Sequence, residues 1–328
     1  MIKQQKKQQV QQQVKQQENQ FSFEYQEQTA IRLDKFLALQ LQDQNYSRTF
    51  ITNLIKQGQV TVNDKVVVKT NQLLKTGDLI IINIIVSKPK DDLIAKPIDI
   101  NIIYEDDDII VINKANNLVV HPGAGNFDNT LVNGLLFNMK QLSSTNQDDT
   151  RPGIVHRLDK QTTGLLIVAK NNQSHHFLAQ QLKDHKIIRE YLALVHGKIK
   201  AQSGTIDAPI ARDKVHRLKM TVSEANAKVA ITHFKVVETF NSYTLVSCQL
   251  ETGRTHQIRV HFQWINHPVV NDPTYSKFRV EDSNLGQYLH AYKITFKHPS
   301  TKEIMTFTAD LPDFFQNRLK LLRKETNN

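Results

Sequence analysis

The sequence predicts an α+β protein in two parts. A small N-terminal unit of helices and short strands precedes a larger domain built on a mixed, largely antiparallel sheet. Helical spacing of apolar residues from Ile31 gives way after Gly58 to short runs separated by Asn63-Asp64. The stretch 87–100, which runs from Ser-Lys-Pro-Lys to Lys-Pro, has the composition of a linker. Beyond it many strand-like runs follow one another directly, which favours an α+β arrangement over a doubly wound one. A chain of 328 residues has room for about two domains.

Residues 1–25 are rich in Gln, with Lys3, Lys6, Lys7 and Lys15, and are expected to form a disordered tail. The small unit is expected over 29–88. Ile31, Leu33, Phe36, Leu37 and Leu41 follow the period of a first helix. Ser47 is the candidate N-cap of a second helix, Arg48–Lys56, which ends at Gly58 and exposes Arg48 and Lys56. Strands over 59–62 and 65–68 meet at Asn63-Asp64, a hairpin-type pair. Gly77-Asp78 then turns the chain into the apolar run 79–86. A linker over 89–97 leads to the larger domain, 98–325. Its candidate strands are 109–113, 164–170, 191–198, 233–240, 243–251, 289–296 and 304–309; its candidate helices are 129–142, 173–185, 255–265 and 313–322. The chain has no internal repeat.

Lys and Arg number 42 against 32 Asp and Glu, a net +10, which points to a polyanionic partner, most simply nucleic acid. No apolar run approaches the roughly 20 residues of a membrane helix. The basic start is followed by glutamines rather than an apolar segment, unlike a secretory signal. The single cysteine, Cys248, excludes an internal disulfide and a thiolate zinc site. A cytoplasmic monomer with no membrane association is expected.

The chemistry centres on 156–170, where one carboxylate, Asp159, lies between Arg157 and Lys160 just before an apolar strand. Loops at strand ends are where catalytic groups usually lie. The histidines, His121, His156, His175, His176, His256, His261 and His267, form no metalloprotease pair, and His256 and His261 are spaced poorly for one helical face. There is no Gly-rich phosphate loop, dinucleotide fingerprint or G-x-S-x-G element, so no cofactor is implied. What remains is acid/base or nucleophilic work by a carboxylate. A glycosidase would need a second acid, and Asp106, Asp107 and Asp108 read as a turn before a strand. The second notable segment is 251–262, where Gly253 ends a strand, Thr255 can cap a helix, and Arg254 and Arg259 line its first turns. Arg254 near Asp159 would keep that acid ionised.

The order Arg32 to Leu37, Ser47-Arg48, Ile55 to Asn63 and Lys75 to Asp78 resembles the S4 RNA-binding domain. In that family the two helices form a surface for structured RNA, which implies RNA contact by Arg48 and Lys56. The segments Asn113-Lys114, Val119 to Gly123, His156 to Lys160, Arg189 to Val195, Gly253 to His261, His267 to Tyr275 and Leu289 to Ala291 resemble the RluA family of pseudouridine synthases, in the family's order. The combination resembles the S4-bearing, large-subunit rRNA type. It implies isomerisation of uridine in RNA to its C-glycoside. Asp159 would be the essential carboxylate, as nucleophile or general base, and Arg254 would pair with it. Tyr191 would stack on the target base. Arg157, with His156 before it, would lie on the substrate side, and Arg157 would fill the gap left by a flipped nucleotide.

The chain departs from the family at Ala115, Asn117, Gln161, Asn271 and Ser276. Asn tolerates a left-handed backbone best after Gly, so Asn117 and Asn271 are expected to hold the turns that glycine holds elsewhere. A non-catalytic RNA-binding or ribosome-assembly factor is the alternative; an intact Asp159, Tyr191 and Arg254 argue against it.

Overall fold

The computed structural model describes residues 18–41, 46, 48–85, 93–123, 126, 128–139, 142–143, 151–216, 218–282 and 284–327. The candidate cap Ser47 and the side chain of Arg48 lie outside this set. The chain divides into two compact units, broadly 1–92 and 93–328.

The N-terminal unit consists of β1 (Glu18–Glu24), β2 (Ile31–Arg32), α1 (Leu33–Gln40), α2 (Arg48–Lys56), β3 (Val60–Val62), β4 (Lys65–Val66), β5 (Leu73–Leu74) and β6 (Leu79–Ile85). Four strands form one sheet in the order β1-β6-β3-β4. Leu33, Phe36, Leu37 and Leu41 are buried, as the helical spacing requires, and they meet Ile51, Leu54 and Ile55 of α2 in one core. Asn63 and Asp64 have φ of 50° and 63°, the two left-handed positions of a type I′ hairpin. Residues 1–25 are not a disordered tail throughout. From Glu18 the chain pairs with β6 in antiparallel register, Glu18↔Ile85 to Glu24↔Leu79. Phe21 and Phe23 on the strand and Tyr25 just past its end alternate and pack on the same core, Tyr25 buried. The three aromatics supply the apolar face that the Gln-rich segment before them lacks.

The larger unit contains β7 (Asn101–Glu105), β8 (Ile109–Lys114), α3 (Leu131–Asn138), β9 (Thr163–Ala169), α4 (Asn172–Lys183), β10 (Ile188–His196), β11 (Ser203–Asp207), β12 (Ile210–Arg212), β13 (Met220–Val222), β14 (Ile231–Thr239), β15 (Tyr243–Leu250), α5 (Gln257–Trp264), β16 (Leu289–Lys297), β17 (Ile304–Thr308) and α6 (Asp313–Asn327). Its main sheet runs β11-β14-β15-β10-β16-β9-β8-β7, with β17 on the far half of β16. Every pairing in that sheet is antiparallel except β9 with β16, which meet at His290↔Thr163 and Ala291↔Gly164. The α+β expectation holds. The expected linker is only partly one. Residues 86–92 fall outside the described set, but Lys96 N donates to Asn133 O and Asn133 Nδ2 to Ile94 O, which ties this stretch to α3. A Cβ on Gly134 would stand 2.9 Å from the Ile98 side chain, so the glycine makes room for that contact.

The β9–β16 junction positions the site. Gly164 has φ of 111°, and a Cβ there would lie 2.3 Å from Ala291 O. Only glycine allows the two backbones to approach so closely. β9 is buried along its whole length, and the loop that delivers Asp159 ends at its first residue.

Candidate active site

Asp159 sits in a tight turn, with Thr162 N donating to its carbonyl. Lys114, at the end of β8, is buried and anchors this turn from below. Its Nζ donates to the carbonyls of Ala115 (2.9 Å), Leu118 (2.9 Å) and Lys160 (3.0 Å). Three acceptors match the three protons of an ammonium. Burial pushes its pKa down to about 7, against the pull of Asp159. Asn117 and Asn271 have φ of 58° and 59°, so asparagine holds both left-handed turns. Each also does what glycine cannot. Asn117 Nδ2 donates to Asn284 O, and Asn271 Nδ2 to Asp282 O and Gly286 O, which fastens these three backbone carbonyls in place.

Asp159 is partnered by Arg259, not by Arg254. Arg259 Nη1 donates to Asp159 Oδ2 at 2.9 Å. Its Nε and Nη2 grip Asp272 in a fork, at 2.7 and 2.9 Å. The expected Arg254 points elsewhere, its Nε donating to Val229 O. The helix phase explains the difference. His256, at φ 57°, breaks the backbone just before α5, so Arg254 lies outside the helix while Arg259 falls on its buried face. Gln257 fixes this break. Its Oε1 accepts from Thr252 Oγ1 and Arg254 N, and its Nε2 donates to Ile231 O. A sequence signal was available: Arg259 lies in a helix whose neighbours Ile258, Val260 and Phe262 are apolar, and an arginine inside such a run needs acids to pair with.

The Asp159 side chain retains 17% exposure, enough to meet a substrate. Burial acts to raise its pKa, but the Arg259 charge, then His256, the Arg259 hydrogen bond and Arg157, more than offset it and hold the carboxyl below its usual range. His256 Nε2 is 3.8 Å from Asp159 Oδ1. On its other side, His256 Nδ1 meets the Tyr275 hydroxyl at 2.8 Å, and that oxygen also accepts from Met220 N. The Arg259 guanidinium lies 5.1 Å from the centre of the Tyr275 ring.

A cavity of about 520 Å³ opens over Asp159, lined by His156, Arg157, Arg189, Tyr191, Arg254 and Ile258 among others. It is within the usual size for a small-molecule pocket. Tyr191 is buried on β10 between Cys248 and Ala291, and burial raises the pKa of its hydroxyl. Arg157 is exposed and donates from Nη1 to Nε2 of the buried His121 at 3.2 Å, an acceptor role that requires that histidine to be neutral. His156 is committed to the scaffold. Its Nε2 accepts from Ile167 N, and burial drops its pKa to about 3. His261 is structural too, bonded to Thr232 Oγ1 and Ala208 O. Lys56, expected on the RNA side, is exposed on α2 of the other unit. Among the described residues no group of three or more His, Cys, Asp or Glu could hold a metal.

The cavity thus combines a shielded, ionised carboxylate with an aromatic wall and a rim of cations. Comparison with known proteins gives these features a context. The RNA pseudouridylate synthase family model matches residues 108–264, and the S4 domain model matches 31–80. An uncharacterized RNA pseudouridine synthase of Bacillus subtilis, YlyB, is 47% identical over 300 residues, covering 91% of this chain and 96% of that one. A ribosomal large subunit pseudouridine synthase D of Neisseria meningitidis serogroup B is 41% identical over 304 residues, covering 90% of this chain and 79% of that one. Among solved structures, human RNA pseudouridylate synthase domain containing 4 superposes with a TM-score of 0.54 at 26% identity, covering 68% of this chain and 93% of that one.

Proposed function

This chain belongs to the RNA pseudouridylate synthase family and carries an S4 domain, and from that premise we propose that it converts uridine to pseudouridine in large-subunit ribosomal RNA through Asp159. It is an RNA pseudouridine synthase, so the reading as a non-catalytic assembly factor falls away. The ribosomal substrate is supported by the relatives named for the large ribosomal subunit.

The observation that carries the residue assignment is the Asp159–Arg259 pair at the floor of the cavity. The reaction breaks the bond from ribose C1′ to uracil N1 and forms one from C1′ to C5, while the C5 proton leaves and N1 gains one. Nothing is consumed, so the protein must supply an anionic group, a place for the free uracil to turn, and exclusion of water. Asp159, kept ionised by Arg259, is the anion, whether it adds to the sugar or takes a proton. Tyr191 offers the base an aromatic surface. Asp159 is mostly buried, and a base still stacked in a helix would not bring its glycosidic bond to that carboxylate, so in this reading the uridine enters flipped, and Arg157 at the rim fills the vacated stack.

The test is to incubate the protein with a large-subunit rRNA transcript and map pseudouridine by position. Wild type should form it at defined uridines, and Asp159→Asn should form none while binding the RNA with near-normal affinity. Activity on another RNA class but none on this one would overturn the substrate assignment. An active Asp159→Asn protein would overturn the role of the carboxylate.

A further inference from the structure

One charged side chain in the cavity has no hydrogen-bond or ion-pair partner among the described residues. Arg189 is 8% exposed and lies on β10 two residues before Tyr191. Both side chains line the cavity, as the alternation of a strand dictates. Among the described residues nothing accepts a hydrogen bond from its guanidinium, and its Nε is wholly buried without an acceptor. The neighbouring acids are engaged elsewhere. Asp159 holds Arg259, Glu251 holds His233 Nε2, and Glu190 holds Tyr292 and Lys293. A cation removed from water with no counter-charge is costly, and a protein retains one where a ligand completes it.

The opposite wall is shaped for this guanidinium. A Cβ on Gly253 would stand 2.7 Å from Arg189 Nη1. Gly253 is not among the positive-φ residues, so space rather than backbone conformation accounts for the glycine.

We propose that Arg189, with Gly253 leaving it room, forms a phosphate-binding site of the cavity that takes the phosphodiester of the nucleotide whose base enters beside Tyr191. The inference rests on the nucleotide-pocket reading given above. The donor pattern favours phosphate over base. A guanidinium presents parallel N–H donors and no acceptor, which matches two non-bridging phosphate oxygens. A uracil edge instead places an N–H between its two carbonyls, and that N–H would face a donor. Phosphate contacts fix register without reading sequence, so Arg189 would set how deep the nucleotide sits over Asp159.

The measurement is the salt dependence of binding to a large-subunit rRNA fragment that contains a uridine modified by wild type. A lost phosphate contact lowers the slope of log affinity against log salt by about 0.7–0.9. Arg189→Gln should show that decrease and bind about tenfold more weakly at low salt, about 1.4 kcal/mol. Arg189→Lys, which keeps the charge but not the fork, should keep the slope. A slope unchanged in Arg189→Gln overturns the proposal, whether affinity is retained or lost, since a contact to a neutral base edge weakens binding without moving the slope. Should Arg189→Gln fail to fold, Gly253→Ala, which crowds the guanidinium, must lower affinity for the same RNA, and unchanged affinity overturns the proposal. Pseudouridine formed by wild type on the same fragment is scored in parallel. Its absence would sink the functional reading, whereas its presence with an unaltered Arg189→Gln slope would sink this inference alone.

Discussion

Arg259 Nη1 stands 2.9 Å from Asp159 Oδ2, while the other edge of the same guanidinium grips the fully buried Asp272. One planar cation therefore serves two carboxylates. The fork to Asp272 fixes the plane, and the plane aims the remaining nitrogen at Asp159. A lysine is a point charge and cannot do both. Arg259→Lys should fold but lower kcat about 100-fold or more, as expected when a reacting group moves by about 1 Å. Arg254→Lys should stay within about tenfold of wild type, because Arg254 Nε bonds a backbone carbonyl and not the acid. Single-turnover rates of the two variants on one rRNA fragment separate these outcomes.

The same pair sets the acid limb of the rate. The folded pKa of Asp159 is depressed, so the carboxylate stays ionised until pH falls below the ordinary value near 3.8. The stability contributed by the ion pair is present above that value and is lost as pH falls through the folded pKa. Removing Arg259 takes away the strongest influence that holds the pKa down and leaves burial opposed only by His256 and Arg157, so the pKa rises. Arg259→Gln should therefore move the acid limb of kcat upward in pH, and Arg254→Gln should not. A pH–rate profile with coincident limbs in both variants would contradict the assignment.

The two-part α+β layout was legible because local signals agreed: the Asn63-Asp64 turn, the helical spacing at 33–41 and the uninterrupted apolar run of β9. The strand β1 was hidden by composition, since its aromatics Phe21 and Phe23 follow a Gln-rich stretch and gain meaning only when β6 lies beside them. β7 was missed for a similar reason, being mostly exposed. In the site, Asp159 stood out as a carboxylate just before an apolar strand, whereas Tyr191, inside β10, was singled out only through the family resemblance. The choice between Arg254 and Arg259 was legible only in part: the apolar neighbours of Arg259 mark it as a buried arginine but do not say which acid it meets. It depends on the left-handed His256, a backbone break that no spacing rule anticipates. Asp272, the acid that orients Arg259, lies in a loop far along the chain, and only the fold brings it there.

His156 is a scaffold residue whose Nε2 accepts from Ile167 N, and burial together with the nearby Arg189 charge pushes its pKa from the ordinary 6.5 down to about 3. A depressed folded pKa means the unfolded chain binds the proton first. Stability should therefore decline as pH falls from about 6.5 towards 3, by at most about 1.4 kcal/mol per pH unit for this proton. His156→Phe should flatten that decline. It should also cost about 1–3 kcal/mol at pH 7, because the Ile167 N–H loses its acceptor inside the sheet. Urea unfolding of both proteins at pH 5 and pH 7 tests both effects, and equal pH dependence would remove His156 from the account.

Lys114 ties the catalytic turn to β8 through three carbonyls, one of them that of Lys160, next to Asp159. Lys114→Met keeps the bulk but leaves those acceptors without a donor, at about 1–3 kcal/mol for each that stays dry. It also frees the turn, so kcat should fall by more than tenfold with RNA affinity little changed, since Lys114 is buried. The pH dependence distinguishes this from general loosening. Burial lowers the folded pKa from 10.5 to about 7, so between those values the unfolded chain holds more protons and wild-type stability gains from this lysine as pH rises. Lys114→Met should lose that gain. Unfolding free energies from pH 7 to pH 9 decide the point: parallel curves for wild type and variant would mean that the folded lysine keeps its proton throughout, and the pH-dependent part of the prediction would be wrong.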